Sequence, residues 1–173
     1  MRTLVLALTA AVALTPAATA ADKVELKEAS VADLTKAVAA HKGQVVMIDC
    51  WYLGCAPCKK KFPYMVAVHK KLAGDGLVFM SLDLLPDDLK EKDKVLDFLT
   101  KQEAAFPNFI FSDKQDAIDK WQEKHEAEAA PAIVAFNRKG EWLKVPEAVS
   151  KEKDPQKYAD KLAEWAKTLL AEK

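Results

Sequence analysis

Cys55 and Cys58, three positions apart, are the residues in this chain best suited to chemistry. A thiolate is a nucleophile, and two sulfurs at this offset on the first turn of a helix come within bonding reach. Such a pair can alternate between dithiol and disulfide. Only Ala56 and Pro57 separate them, and Pro57 suits a first turn because the N–H it lacks has no partner there. Unpaired N–H groups and the positive end of the helix dipole stabilise a thiolate at Cys55, whose pKa should fall below that of a free thiol. Cys58, a turn further in, would then attack the mixed disulfide that Cys55 forms with a substrate.

A buried strand has to present this pair. The apolar run that starts at Val45, with Gly43 upstream, has the length of a strand covered on both faces and ends at Asp49. A carboxyl at that position is costly to bury in charged form, and a raised pKa would suit Asp49 to exchange protons with Cys58. The plainer alternative is a solvated acid at a strand end. Cys50 reads as a small apolar core residue, with a third redox thiol as the alternative. Cys50, Cys55 and Cys58 also have the spacing of some iron–sulfur proteins, but the chain has only three cysteines and offers no fourth ligand.

The stretch VVMIDCWYLGCAPCKKKFP, from Val45 to Pro63, resembles the active-site strand, turn and helix of the thioredoxin superfamily. Asp49, Trp51, Cys55, Pro57, Cys58 and Pro63 fall in register with the superfamily pattern. Cys50 stands where Phe is usual and Gly54 where Trp is usual. Ala130-Pro131 matches the superfamily's X-Pro, which is cis in that fold and sits beside the Cys-x-x-Cys turn. The resemblance implies an α/β, thioredoxin-like fold with a central mixed β-sheet flanked by helices on both faces. It implies catalysis by Cys55, Cys58 and Asp49, with Cys55 and Cys58 as the redox-active disulfide. It also implies a substrate surface formed by Trp51, Gly54, Pro57, Ala130 and Pro131, the Ala130 backbone pairing with a bound peptide. The region around Phe106 to Trp121 is similar to the insertion of exported TlpA-like and ResA-like members, which act mostly as reductants kept reduced by a membrane protein. The implied partners are protein thiols and disulfides and a membrane or soluble dithiol protein. No cofactor, metal or nucleic acid is expected, and a monomer is.

The other elements follow from periodicity and caps. Ser30 with Asp33 caps a helix carrying Val31, Leu34 and Val38, and the active-site helix runs to about Leu72 with Pro63 inside it. Gly74-Asp75-Gly76 is a turn, Leu77 to Leu82 a buried strand, and Pro86, Asp87 and Asp88 begin a helix with Val95, Leu96 and Leu99 as its stripe. Phe106 to Phe111 is a short strand or turn, and Ser112 with Gln115 caps a helix carrying Ile118 and Trp121. Ala132 to Phe136 and Glu141 to Val145 form a hairpin, and Asp154-Pro155 starts the last helix, with Tyr158, Leu162, Trp165 and Leu169 at helical spacing. Lys59, Lys60 and Lys61 read mostly as a solvated face, with one ammonium available to support a thiolate.

Residues 1–20 have the pattern of a secretory signal: Arg2, an apolar run from Leu4 to Leu14, and Ala18-Thr19-Ala20 before the expected cut. The domain then spans residues 21–173, and the protein is periplasmic or secreted. An uncleaved anchor is the alternative. Removing residues 1–20 takes away Arg2 and no acid, so the 26 basic residues become 25 against 26 acids. That balance gives no electrostatic reason for nucleic acid or an anionic membrane surface as partner. In an oxidising compartment a two-residue loop restricts the unfolded chain little, which favours an exchanging pair over a structural staple. Two other functions compete. One is a copper or zinc protein in which His69 or His125 joins the thiolates, although both histidines read as surface residues. The other is an interaction module with a static disulfide, which the replacement of Trp by Gly54 keeps open.

Overall fold

The computed structural model describes residues 23–172. The signal segment expected over residues 1–20 lies outside them. The described chain begins with β1 (Leu26–Ala29), α1 (Val31–Ala39), β2 (Val45–Trp51) and α2 (Ala56–Leu72). It continues with β3 (Leu77–Asp83), α3 (Lys92–Lys101), β4 (Asn108–Phe111) and α4 (Gln115–Lys124), then β5 (Ala132–Phe136), β6 (Trp142–Leu143), α5 (Glu147–Ser150) and α6 (Pro155–Ala171).

The six strands form one sheet in the order β1-β4-β3-β2-β5-β6. The four strands from β1 to β2 run parallel, while β5 and β6 are antiparallel to their neighbours, so the sheet is mixed. Every residue of β2 is buried, as a strand covered by helices on both faces must be. Its alternating side chains feed two cores. Val45, Met47 and Trp51 pack with Phe62 and Met65 of α2, Leu99 of α3 and Leu162 of α6. Val46, Ile48 and Cys50 pack on the other face with Leu34 of α1 and Ile118 and Trp121 of α4.

Several local expectations are corrected. Strand β1 was not expected; its sequence Leu-Lys-Glu-Ala carries little apolar signal, and parallel pairing with β4 forms it. Ser112 does not cap α4. Its N–H donates to Ala29 O, and the neighbouring Asp113 accepts from Val31 N at 2.8 Å, so this segment ties α1 to the sheet instead. Pro86 to Glu91 forms a 3-10 turn, and the α-helix begins only at Lys92, because Asp88 is used elsewhere. Strand β6 covers two residues rather than the five from Glu141 to Val145. Ser30 and Asp33 do form the reciprocal cap of α1, and Asp154 accepts from Lys157 N to start α6.

Candidate active site

The C-terminal end of β2 delivers the chain into a tight loop. Leu84 N donates to Trp51 O at 2.9 Å, Leu53 N to Asp88 Oδ2 at 2.8 Å, and Cys55 N to Tyr52 O at 3.0 Å. These three bonds fix residues 51–55 so that Cys55 becomes the N-cap of α2. Its Sγ accepts the Cys58 N–H at 3.2 Å, and Lys59 N donates to Cys55 O at 3.1 Å. Cys55 and Cys58 are joined as a disulfide with Cα atoms 5.3 Å apart. The donor aimed at Cys55 Sγ is one that would stabilise its thiolate once the disulfide opens.

Both cysteines are only 2% exposed in this oxidised state, while Gly54, Ala56 and Pro57 between and beside them are exposed. The ring of Tyr52 lies against Gly54, with Cε2 and Cδ2 at 3.4 and 3.6 Å from the place of a Cβ there. An aromatic side chain thus flanks the exposed loop although position 54 has none. Trp51 is fully buried instead, its ring 5.2 Å from Phe62 and 4.9 Å from Phe98, and acts as the floor of the loop. Ala130 and Pro131 are joined by a cis peptide bond and are half-buried just before β5.

Asp49 is 5% exposed, on the face of β2 that α2 and α6 cover. Burial pushes its carboxyl up to about 7, and the Lys61 ammonium pulls against that shift. Cys50 points to the opposite core, and burial, then the Asp49 charge, push its thiol well above the usual range. It is the free cysteine.

A second buried acid was missed in the sequence. Asp83 closes β3 opposite Trp51 and has no exposed surface. Its Oδ1 accepts from Leu85 N at 3.0 Å, whereas Oδ2 is buried with no partner, as is Trp51 Nε1. Burial pushes Asp83 up to about 8, and the Asp88 charge adds to the shift. Two ionised carboxylates cannot hydrogen-bond, so Asp83 gains Asp88 as an acceptor only when it carries the proton. An acid in strand β3 with Leu-Leu-Pro-Asp-Asp following it was the available signal.

The basic cluster also differs from expectation. Lys59 and Lys60 are exposed, but Lys61 is 8% exposed and turns inward. The histidines are not surface residues either. His125 is 7% exposed, its Nδ1 lies 2.8 Å from Trp121 O, and its ring contacts Phe136. His69 is half-buried against Phe79 and Phe106, eleven residues along α2 from Cys58, roughly 16 Å of helix. Neither imidazole is placed to join the sulfurs, and among the described residues no group of three His, Cys, Asp or Glu could hold a metal.

An open groove of about 830 Å³ runs beside the disulfide, from Leu53 and Gly54 across Lys59 to Phe98 of α3. A separate cleft of about 370 Å³ between α1 and α4 contains none of the expected site residues; its floor, Leu34 and Ile48, belongs to the opposite core.

No family model matches the chain. It is 28% identical over 106 residues to the thiol-disulfide oxidoreductase ResA of Bacillus subtilis (strain 168), covering 60% of this chain and 53% of that protein. The chain thus spans about half the length of that curated relative. The sporulation thiol-disulfide oxidoreductase A of the same organism is 23% identical over 125 residues, covering 72% of this chain and 68% of its own length. Among solved structures, a secreted disulfide oxidoreductase of Mycobacterium tuberculosis shares the fold with a TM-score of 0.54 and 18% identity, over 76% of this chain and 86% of that one. With a helix-capping disulfide at the end of the central strand of a mixed sheet, and with these relatives, the chain belongs to the thioredoxin superfamily and to its ResA- and TlpA-like members.

Proposed function

We propose that the protein is an exported thiol–disulfide oxidoreductase that reduces or exchanges disulfides in other exported proteins. The observation that carries this reading is the Cys55–Cys58 disulfide at the N-terminus of α2, with the Cys58 N–H directed at Cys55 Sγ. In the reduced protein the Cys55 thiolate attacks one sulfur of a substrate disulfide. That S–S bond breaks, a mixed disulfide forms, and the departing substrate thiolate takes a proton from solvent. Cys58 then gives its proton to the Asp49 carboxylate and attacks Cys55 Sγ. The mixed disulfide breaks, and the second substrate thiolate leaves and is protonated. Two electrons and two protons pass from the protein dithiol to the substrate, and Asp49 returns its proton to solvent.

Trp51, Gly54, Pro57, Ala130 and Pro131 form the substrate surface in this reading, and the Ala130 backbone pairs with an extended peptide. A second dithiol protein, in the membrane or soluble, regenerates the reduced form. Export rests on the signal pattern of residues 1–20 and on the description of one structural relative as secreted. No helix of the described residues is long and apolar enough to cross a membrane.

Insulin reduction by the purified protein tests the proposal. Cys55→Ser should abolish the activity, and Cys58→Ser should leave it stalled as trapped mixed disulfides. The competing reading, a module with a static disulfide, draws on the 2% exposure of each cysteine. It requires the pair to resist a mild dithiol such as dithiothreitol, an outcome that would end the enzymatic account.

A further inference from the structure

Lys61 is a charged residue in the core beneath the active-site helix. It sits three residues after Cys58, on the same side of α2, so its side chain leaves the helix one turn below the resolving sulfur. Its Nζ stands 3.6 Å from the centre of the Tyr158 ring and donates to Glu152 O at 3.2 Å. Tyr158 belongs to α6 and is 3% exposed, and Glu152 lies in the link between α5 and α6. The Glu152 carboxylate does not turn to Lys61. It is held by Lys161 at 2.5 Å and by the N–H groups of Lys153 and Asp154. What Glu152 offers Lys61 is therefore a carbonyl, which anchors the ammonium without neutralising it.

The ammonium is left with a cation–π contact, one neutral hydrogen bond and a buried setting. Burial lowers the Lys61 pKa, and of the charges opposing that shift Asp49 acts more strongly than Glu152. Asp49 in turn meets Lys61 as its charge partner. The other titratable groups at this spot are Tyr158 from α6, Cys50 on β2 itself and Cys58 from α2. Burial, then the Asp49 charge, push the Tyr158 phenol far up, so it stays neutral. Cys50 also stays neutral. From β3 and β5 the residues opposite Asp49 are Ser81 and Ile133, neither of which is charged. A cavity of about 290 Å³, bordered by Pro131, Ile133 and Tyr158, adjoins this cluster beside the cis proline.

We propose that Lys61 is the positioning residue of the buried acid: anchored by Tyr158 and the Glu152 carbonyl, its ammonium holds Asp49 in the carboxylate form that accepts the Cys58 proton. The proposal rests on the oxidoreductase reading for its functional consequence, while the coupling itself is a property of the fold. Without the ammonium only burial acts on Asp49, and the carboxyl keeps its proton to higher pH.

The test is a titration of the Asp49 carboxyl by ¹³C NMR in the purified reduced protein, its signal assigned with Asp49→Asn. In Lys61→Met the midpoint should move up by about one pH unit or more, the scale of one nearby opposite charge. Lys61→Arg should restore it. The pH profile of insulin reduction should move the same way in Lys61→Met, with a drop of about tenfold near neutrality, and Lys61→Met should add no further shift in an Asp49→Asn background. If Lys61→Met fails to fold, as judged by circular dichroism, Lys61→Gln replaces it. An unmoved Asp49 midpoint overturns the proposal, as does a profile shift of equal size in the Asp49→Asn background. A wild-type protein that leaves insulin intact refutes the oxidoreductase reading alone, because the carboxyl titration is read without turnover.

Discussion

Asp83 makes the sharpest demand on the protein's stability. It is a fully buried carboxyl at the end of β3 with one oxygen unpartnered, and burial followed by the charge of Asp88 pushes it up to about 8 from 3.8. The folded protein therefore retains a proton that the unfolded chain has released. For an acid whose folded pKa is raised, stability is greatest below the unfolded value and falls as pH rises to the folded value, beyond which it levels off. The slope for one such group is about 1.4 kcal/mol per pH unit, so between pH 5 and pH 8 the loss reaches about 4 kcal/mol at most. Asp49, raised to about 7, adds a parallel slope that stops near that pH. These are large fractions of a domain stability of ~5–15 kcal/mol. Asp83→Asn keeps an acceptor for Leu85 N and supplies a neutral donor toward Asp88. Urea unfolding of the oxidised proteins at half-unit steps from pH 5 to pH 9 should show the variant gaining on wild type steadily to about pH 8, then holding its advantage. Parallel stability curves for the two proteins over that range would mean that Asp83 is ionised in the native state, and the account of a neutral buried acid beneath the loop would fail.

Asp49→Asn should leave the fold intact and slow insulin reduction near neutral pH, since Cys58 then loses its proton acceptor; an unchanged rate across pH would refute that role. In the native reduced protein, limited iodoacetamide should label Cys55 before Cys58 and leave Cys50 untouched, because Cys50 is fully buried with a thiol held neutral. Peptide mass spectrometry reads the order, and early labelling of Cys50 would contradict its place in the core. Arg138→Ala removes bonds to Gly43 O, Leu170 O and Glu172 O, which tie the end of α6 to the start of β2. It should cost about 1–3 kcal/mol in urea unfolding while insulin reduction persists, since those contacts lie at the end of β2 away from the thiols.

What could be read in the sequence was what local chemistry writes down. The run VVMIDCW has to be a doubly covered strand, Pro57 has to fall in a first turn, and Ser30 with Asp33 has to cap α1, because each signal is complete within a few residues. The cysteine pair and Asp49 were legible for the same reason. Asp83, Asp88 and Lys61 were not, since their meaning depends on what lies across the fold. Asp88 looked like a helix-starting acid until Leu53, thirty-five residues earlier, claimed its carboxylate. Lys61 looked like one of three solvated lysines, and it is the approach of α6 that brings Tyr158 over it. His125 read as polar among acids and alanines, but Trp121, Phe136 and Trp142 from three elements enclose it. Strand β1 is the same case in backbone form, a weak pattern completed by a distant partner.

The division of labour between the sulfurs also comes from long-range placement rather than from the motif. Both are cysteines, equally buried in the disulfide, and a spacing of three residues is symmetrical with respect to which attacks. The helix breaks the symmetry first: Cys55 caps α2 and receives the Cys58 N–H, so negative charge is favoured on Cys55 Sγ. The strand breaks it again, because the Asp49 carboxylate under α2 disfavours a second negative charge on Cys58 while offering to take its proton. Cys58 therefore becomes a nucleophile only in the step in which Asp49 is protonated. A captured substrate is then released by proton transfer inside the core, and its rate depends on how firmly the Lys61 ammonium holds Asp49 in its charged form.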